Sequence, residues 1–304
     1  MRIPKLAAPL LAFIRIFALV AAKPSQQPFS SEDLAQYNQG FDEEAVYRAF
    51  DLDDHDGTGS PDAPGWIDPR IHSGSMLDLV GNGLREPINV IISGKSDPTI
   101  LTDQGLKDYV RTIGFSFECL NLHMGGLQRA DLGDGKGWRP EMFEYRETQW
   151  PGAPGRWVGA CWESLYGGNH FRVWKQNGTL ANTGAWFLAV SKEKNLKYHH
   201  TIDKNGYNIG RDLLVEAAER GGVWKNWKWK ATTEWIEGLL EAGKDGINHN
   251  ISQDGRTAIL TVERIVDSPI PLPSKAAFLY GSFQAAQRSF ASAVEIVLNW
   301  LGLL

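Results

Sequence analysis

The sequence predicts an α+β protein whose sheet is mostly antiparallel, with about two main helices packed on it and an amphipathic C-terminal helix. About six short runs of alternating or β-branched residues recur between residues 87 and 266, which is typical of strands. Two helical patterns interrupt these runs, and no strand–helix–strand alternation repeats. That order favours an antiparallel sheet over a parallel one.

The first elements are a strand and a capped helix. The β-branched run from Ile88 to Ile92 ends at Ser-Gly and predicts a strand. Thr102 or Asp103 can cap the helix that follows, and Gly114 can end it. The apolar residues of this helix recur at helical spacing; they are Leu106, Tyr109, Val110 and Ile113.

Residues 170–176 alternate in character, so Phe171 and Val173 are predicted to face the core. His170, Arg172 and Trp174 then share the opposite face. Asn177-Gly178 predicts a type I′ turn that returns the chain into a buried strand over residues 185–190.

The later elements follow the same rules. Residues 198–202 are expected to form a short strand, and a helix is expected from about Asn208 to Gly221. Strands are predicted over residues 227–231 and 258–262. The alternating Trp and Lys residues from 224 to 235 indicate a strand with one buried face, or alternatively a surface for glycans or acidic ligands.

The N-terminus resembles a secretory signal peptide over residues 1–22. A basic start is followed by an apolar run and by small residues that end at Ala22. A membrane anchor is the alternative, but the run is short for a spanning helix and contains Arg15. We therefore expect cleavage near Ala22 and a secreted, extracellular protein.

Three further regions follow the signal peptide. Residues 23–86 are predicted to be an acidic Gly/Pro-rich arm, residues 87–266 the α+β domain, and residues 267–304 a linker and amphipathic helix. The helix is expected to dock on its own domain or to contact a membrane surface or a second copy. Its apolar stripe contains Leu279, Phe283, Phe290, Val297 and Leu301.

Charge excludes one class of partner. Removing Arg2, Lys5 and Arg15 with the signal peptide, which contains no acidic residue, changes the formal charge from −5 to −8. A nucleic-acid-binding protein needs a positive field to displace the counterions of phosphates. We therefore expect no nucleic-acid partner.

Cys119 and Cys161 are the only cysteines. An isolated pair in an oxidising compartment usually forms a disulfide, with two buried thiols as the alternative. The triplets that begin at Asn177 and Asn250 match the N-glycosylation pattern and fall in expected turns.

Polar residues from three segments form the candidate site. His170 and Arg172 share a strand face, where they can hydrogen-bond and clamp an anionic group. His200 with Asp203 forms a second segment, since a carboxylate can orient an imidazole. Arg211 and Asp212, near the start of a helix, complete the set.

Residues 87–265 resemble the LssY C-terminal-like domain, and especially its secreted fungal members. The resemblance is carried by Pro87–Gly94, Gly167–Arg172 and Tyr207–Asp212. Bacterial members have a His-x-Arg strand, a Thr-His-His-Ile-Asp segment and an Arg-Asp pair that opens a helix. This pattern matches all six candidate residues, except that Thr201 replaces the second histidine of the pair and the spacing from Asp203 to Arg211 is one residue longer.

Two functions remain open, because the resemblance implies no established activity. The first is a secreted binding or interaction module for an anionic, glycan or lipid surface ligand. The alternative is a hydrolase-like enzyme that acts on a phosphate or other anionic ester through His170, Arg172, His200, Asp203, Arg211 and Asp212. No cofactor is expected. A metal site is not expected either, because no local ligand motif accompanies the histidines.

Overall fold

A computed structural model describes residues 65–265 except 82, 119–125, 149–159, 162, 164 and 225–226. Within this part the protein is α+β, with a large, curled, mostly antiparallel sheet and two helices, which confirms the predicted class. None of the helices described here is long and apolar enough to cross a membrane. The predicted signal peptide and C-terminal helix lie outside the described residues, so both stay predictions.

The strands in chain order are β1 (Ile88–Ile92), β2 (Phe115–Phe117), β3 (Arg129–Ala130), β4 (Arg139–Pro140), β5 (Phe143–Glu147), β6 (Asn169–Asn177), β7 (Asn182–Lys192), β8 (Gly222–Trp224), β9 (Trp227–Ile236) and β10 (Thr257–Arg264). Eight of them form one sheet in the order β2-β5-β6-β7-β1-β10-β9-β8, while β3 and β4 pair separately. Only β1 and β10 are parallel. The sequence missed β2, β3, β4 and β8, which have only two or three residues and show no period, and it also missed the five-residue β5.

The two helices, α1 (Asp103–Thr112) and α2 (Gly206–Arg220), are those that the sequence predicts. The Thr102 hydroxyl accepts a hydrogen bond from the Gly105 N–H and so caps α1 as expected. Helix α2 begins slightly earlier than Asn208 and ends at Gly221. The ring of Tyr109 in α1 meets Trp229 of β9 edge to face, with 6.4 Å between centroids, which helps to join the helix to the sheet.

The apolar core includes a segment that was expected to be a solvated arm. Met76 is buried among Trp174, Phe187 and Ile259, and Trp66 packs against the same cluster. The Met76 carbonyl also accepts a hydrogen bond from the Ile88 N–H at the start of β1. The packing of the described fold therefore extends to residues before Pro87, while the domain boundaries stay predictions.

Two local predictions are wrong. Residues 198–202 do not form a strand; a 3₁₀ turn at Leu196–Tyr198 is followed by His199 and His200 at φ +55° and +52°. The turn after β6 is not type I′, because neither Asn177 nor Gly178 has a positive φ. Instead the Gly178 N–H donates to the Ala181 carbonyl, so the loop is longer than two residues.

Glycine is required at position 178 because the backbone of Asp134 lies very close to it, and not because of its dihedral angles. A Cβ at this position would lie 2.1 Å from the Asp134 carbonyl oxygen, which is backbone and cannot rotate away. The Asp134 carboxylate also accepts from the Lys136 and Asn177 N–H groups, so the loop before β4 is fixed against the β6–β7 turn.

We expect Gly178→Ala to destabilise the protein by about 1–3 kcal/mol, because overpacking forces the backbone to shift. Urea unfolding of the variant and of Gly126→Ala measures the difference. Gly126 is a matched control because a Cβ there meets nothing within 4 Å. Equal midpoints for the two variants would contradict the expectation.

Candidate functional site

Two neighbouring strands place charged side chains on one buried face of the sheet. The register pairs Glu144 with Arg172 and Arg146 with His170, and side chains of directly opposed residues share a face. The opposite face carries Phe171 and Tyr145, whose ring centroids lie 5.2 Å apart. The alternation predicted for β6 is therefore confirmed, and it separates an aromatic layer from a charged layer.

We name this charged layer, with the residues that reach it from adjoining loops, the buried ionic cluster. Its members are Glu86, Glu118, Glu141, Glu144, Arg146, Glu163, His170, Arg172, Glu193 and His200.

Arg146 contacts four carboxylates, of which Glu118 is the most distant, with 3.6 Å between Nε and Oε1. Its Nη1 lies 2.9 Å from Glu193 Oε2 and 3.2 Å from Glu163 Oε2, and its Nη2 lies 2.8 Å from Glu144 Oε1. A guanidinium suits this role because its planar fork donates in several directions at once. Arg146 therefore joins β5 to the end of β7 and to Glu163.

Arg172 determines the protonation of His170. Arg172 Nη1 lies 3.0 Å from His170 Nε2, and a guanidinium can only donate, so Nε2 accepts and carries no proton. Burial also lowers the pKa of His170, which favours the neutral ring. Arg172 Nε lies 3.0 Å from Glu141 Oε2 as well. His170 is therefore not available to donate to an anionic ligand through Nε2.

His170 and His200 meet at Glu193, which directly follows β7. His170 Nε2 lies 3.5 Å from Glu193 Oε1, and His200 Nδ1 lies 3.4 Å from Glu193 Oε2. The expectation that the two histidines converge is therefore confirmed. His170 is fully buried, whereas the His200 side chain is 26% exposed and forms the solvent-facing end of the cluster.

Local backbone geometry holds His200 in this position. Both His199 and His200 lie in the left-handed region, which is uncommon for residues other than glycine and costs energy. Gly167, at φ +79°, allows the chain before β6 to pass close to this loop, since a Cβ would lie 2.5 Å from the Glu193 carbonyl oxygen. Such strain persists only where the surrounding structure imposes it.

Carboxyl groups outnumber guanidinium groups in the cluster, and their pKa values diverge. Burial raises the pKa of Glu163 to about 8, despite its contact with Arg146. Burial acts in the same direction on Glu193, but the contacts with His200 and Arg146 outweigh it and hold the pKa of Glu193 well below its usual range. Burial and the neighbouring Glu86 raise the pKa of Asp78, which lies beside the cluster. The cluster is thus acid-rich, which does not suit the anionic group that His170 and Arg172 were expected to clamp.

Arg211, Asp212 and Asp203 form no hydrogen bond or ion pair with the described members of the cluster. Arg211 pairs with Asp254, with 2.6 Å between Nη1 and Oδ1, and with Asp212, with 2.9 Å between Nε and Oδ1. Its guanidinium also stacks over the ring of Trp235. The Asp203 carboxylate accepts from the Lys204 N–H. Glu193 takes the orienting role that the sequence suggested for Asp203.

None of the six acidic members of the cluster was a candidate from the sequence. Glu144 and Arg146 alternate with Phe143 and Tyr145, so a period-two pattern marks β5, but the segment is short. Glu86, Glu141 and Glu163 reach the cluster from outside the strands, where no periodic pattern exists. The pairing of β5, β6 and β7 places Arg146 and Arg172 side by side, and these two arginines then contact the glutamates from outside the strands.

Other predicted residues occupy ordinary structural positions. The Trp–Lys alternation in β9 is a strand with one buried side, since Trp229 is buried while Lys228 and Lys230 are exposed. Asn250 is exposed, and Asn177 is half-buried at the end of β6. Cys161 is buried, but its predicted partner Cys119 lies outside the described residues, so the disulfide stays a prediction.

Among the described residues, no three His, Cys, Asp or Glu side chains are arranged to hold a metal ion. Comparison of the chain with protein-family models, curated proteins and solved structures gives no significant match.

The pKa of Glu163 leads to a test of the cluster. Its folded-state pKa of about 8 exceeds the ordinary value of 4.5, so folding favours the protonated carboxyl. Stability from this group is fully present below pH 4.5 and is lost as the pH rises towards 8, at up to about 1.4 kcal/mol per pH unit.

We expect Glu163→Gln to remove this loss, so that the variant gains stability relative to the wild type between these pH values. Urea unfolding at several pH values measures the difference. Glu234→Gln is the control because Glu234 is exposed on β9. A constant difference between Glu163→Gln and wild type across this range would contradict the assigned protonation.

Proposed function

We propose that this chain is a secreted binding module that recognises a neutral glycan at the open end of the buried ionic cluster. The observation that carries the proposal is the position of His200, which is partly exposed, strained and held against Glu193. We name the surface around it the histidine mouth, formed by Tyr166, Lys194, Tyr198, His199 and His200. The predicted signal peptide and the resemblance to secreted LssY C-terminal-like proteins agree with this role.

Exposed aromatic rings flank the mouth. Tyr198 is 52% exposed and Tyr166 is 57% exposed, although large apolar surfaces are usually covered. The backbone at Gly167 approaches residues 193–195 closely, which brings the Tyr166 segment beside the loop that carries His200. Tyrosine combines a flat apolar face with a hydroxyl, so it can stack on a sugar ring and hydrogen-bond to it.

The electrostatics of the mouth favour a neutral ligand. Its floor is Glu193, which is ionised, and the carboxylates behind it repel an anion. Its rim carries Lys194, and Lys197 adjoins it with 5.7 Å from Nζ to the ring centroid of Tyr198; both ammonium groups repel a cation. A polyhydroxylated ligand can hydrogen-bond to both the acidic floor and the basic rim, because hydroxyl groups donate to carboxylates and accept from ammonium groups.

Hydrolysis of an anionic ester is less well supported. The guanidiniums of Arg172 and Arg211 are already paired with carboxylates, and Arg211 and Asp212 contact none of the described cluster. The divergent pKa values of Glu163 and Glu193 are the one feature that favours acid–base chemistry. A screen against phosphoesters, with and without a chelator, separates the alternatives: turnover that His200→Ala abolishes would establish the hydrolase.

We expect Tyr198→Ala and His200→Ala each to weaken glycan binding by roughly tenfold or more, since each removes a direct contact of about 1–2 kcal/mol. Binding is measured by glycan array and then by calorimetry with the best oligosaccharide. His249→Ala is the matched control, because His249 is also exposed and left-handed but lies outside the mouth.

Two results would overturn the proposal. The first is the absence of any glycan ligand for the correctly folded wild type. The second is an equal loss of binding in the His249→Ala control.

A further inference from the structure

A second surface lies on a small group of extended segments that we name the N-terminal ribbon, formed by residues 77–81, 83–87, 129–130 and 139–140. Leu79 and Arg129 exchange backbone hydrogen bonds of 2.7 and 3.1 Å, and Arg129 in turn pairs with Pro140. Hydrogen bonds from Asp78 to Glu86 and from Val80 to Leu84 place Arg85 across from Leu79. Arg85, Leu79 and Arg129 are therefore cross-strand neighbours on one face of the ribbon.

The two faces of the ribbon differ in charge. Asp78, Glu86 and Gln128 are buried on the inner face, where Glu86 approaches Arg172 with 3.7 Å between Oε2 and Nη1. Arg129 is exposed on the outer face, and Arg85 lies over the ring of Trp138 with 5.5 Å from Cζ to the ring centroid. A protein with an acidic sequence thus presents a local cationic surface.

These cations lack the carboxylate partners that surface arginines often have. In the part of the chain that the structure describes, no carboxylate lies within 4.0 Å of the guanidinium of Arg85, Arg129 or the adjacent, exposed Arg139. By contrast, Arg146 and Arg172 in the cluster and Arg211 at Trp235 are each paired with carboxylates. The outer face of the ribbon can therefore receive anionic groups without breaking an existing ion pair.

Apolar side chains stand beside the arginines. Leu127 is 58%, Leu84 is 44% and Trp138 is 37% exposed. Leu127 precedes Arg129 by two residues. Leu84 precedes Arg85 directly and pairs with Gly81. Exposed Trp and Leu side chains mixed with arginines are suited to the boundary between lipid headgroups and acyl chains.

We infer that the outer face of the N-terminal ribbon docks on an anionic lipid membrane surface. The arginines contact lipid phosphates and carboxylates, and Trp138, Leu84 and Leu127 enter the headgroup layer. An acidic soluble protein or polysaccharide would use the arginines but would leave the protruding leucines in water. The membrane is therefore the partner that uses both features of the surface.

Flotation of the full-length mature protein with vesicles tests this inference. We expect binding to phosphatidylcholine vesicles that contain phosphatidylserine, little binding to phosphatidylcholine alone, and weaker binding as salt rises. The double variant Arg85→Gln with Arg129→Gln should lose about 25-fold in partitioning, or roughly fivefold for each arginine. Lys228→Gln with Lys230→Gln is the matched control, since it removes the same charge from the exposed side of β9.

A second variant tests the apolar part of the surface and keeps the inference falsifiable if the arginine variant misfolds. Leu127→Ser with Trp138→Ser should reduce binding at every salt concentration while leaving the charge unchanged. His200→Ala should bind vesicles normally, so loss of glycan recognition and loss of membrane docking are distinguishable. The inference is overturned if the wild type does not float with anionic vesicles, if the ribbon and control variants float equally, or if heparin binds the ribbon while vesicles do not.

Discussion

The cross-strand pairing of Arg146 and Arg172 with carboxylates is the interaction on which the charged half of the sheet depends. Each guanidinium contacts several carboxylates, so neither can be removed without leaving buried charge. Breaking a buried pair typically costs several kcal/mol, because the remaining ion keeps its desolvation penalty. This requirement explains why segments as distant as Glu86, Glu141 and Glu163 meet on one face of β5 and β6.

The same network divides the molecule into surfaces with different roles. Its arginines are paired with carboxylates in the interior, His200 is its partly open end among the described residues, and the N-terminal ribbon covers it. Polar residues that look catalytic in the sequence are thereby used to join strands. Among the described residues, the surfaces that we propose for ligands are the histidine mouth and the outer face of the N-terminal ribbon.

The sequence predicted the parts of the fold that have a local cause. Strand β1, the alternation of β6, the Thr102 cap of α1 and the end of α2 at Gly221 all follow from patterns within a few residues. The convergence of His170 with His200 was predicted as well. The role of Glu193 was not, because a single glutamate after a buried strand carries no pattern, and its contact with His200 depends on two left-handed residues that a sequence does not reveal. Arg211 was assigned to the wrong neighbours, since its partner Asp254 is distant in the chain.

The parallel pairing of β1 with β10 has a consequence for how the chain folds during synthesis. Strand β1 lies at the centre of the sheet, between β7 and β10, yet β10 is the last strand that the structure describes. Loop closure over so long a separation is slow, and contacts of this kind lower folding rates. A nascent chain that has not yet produced residues 257–264 presents the fully buried β1 with an unpaired edge, which is a template for aggregation. Translation must therefore run almost to the end of the domain before the central strand is protected, and chaperones are expected to hold the chain until then.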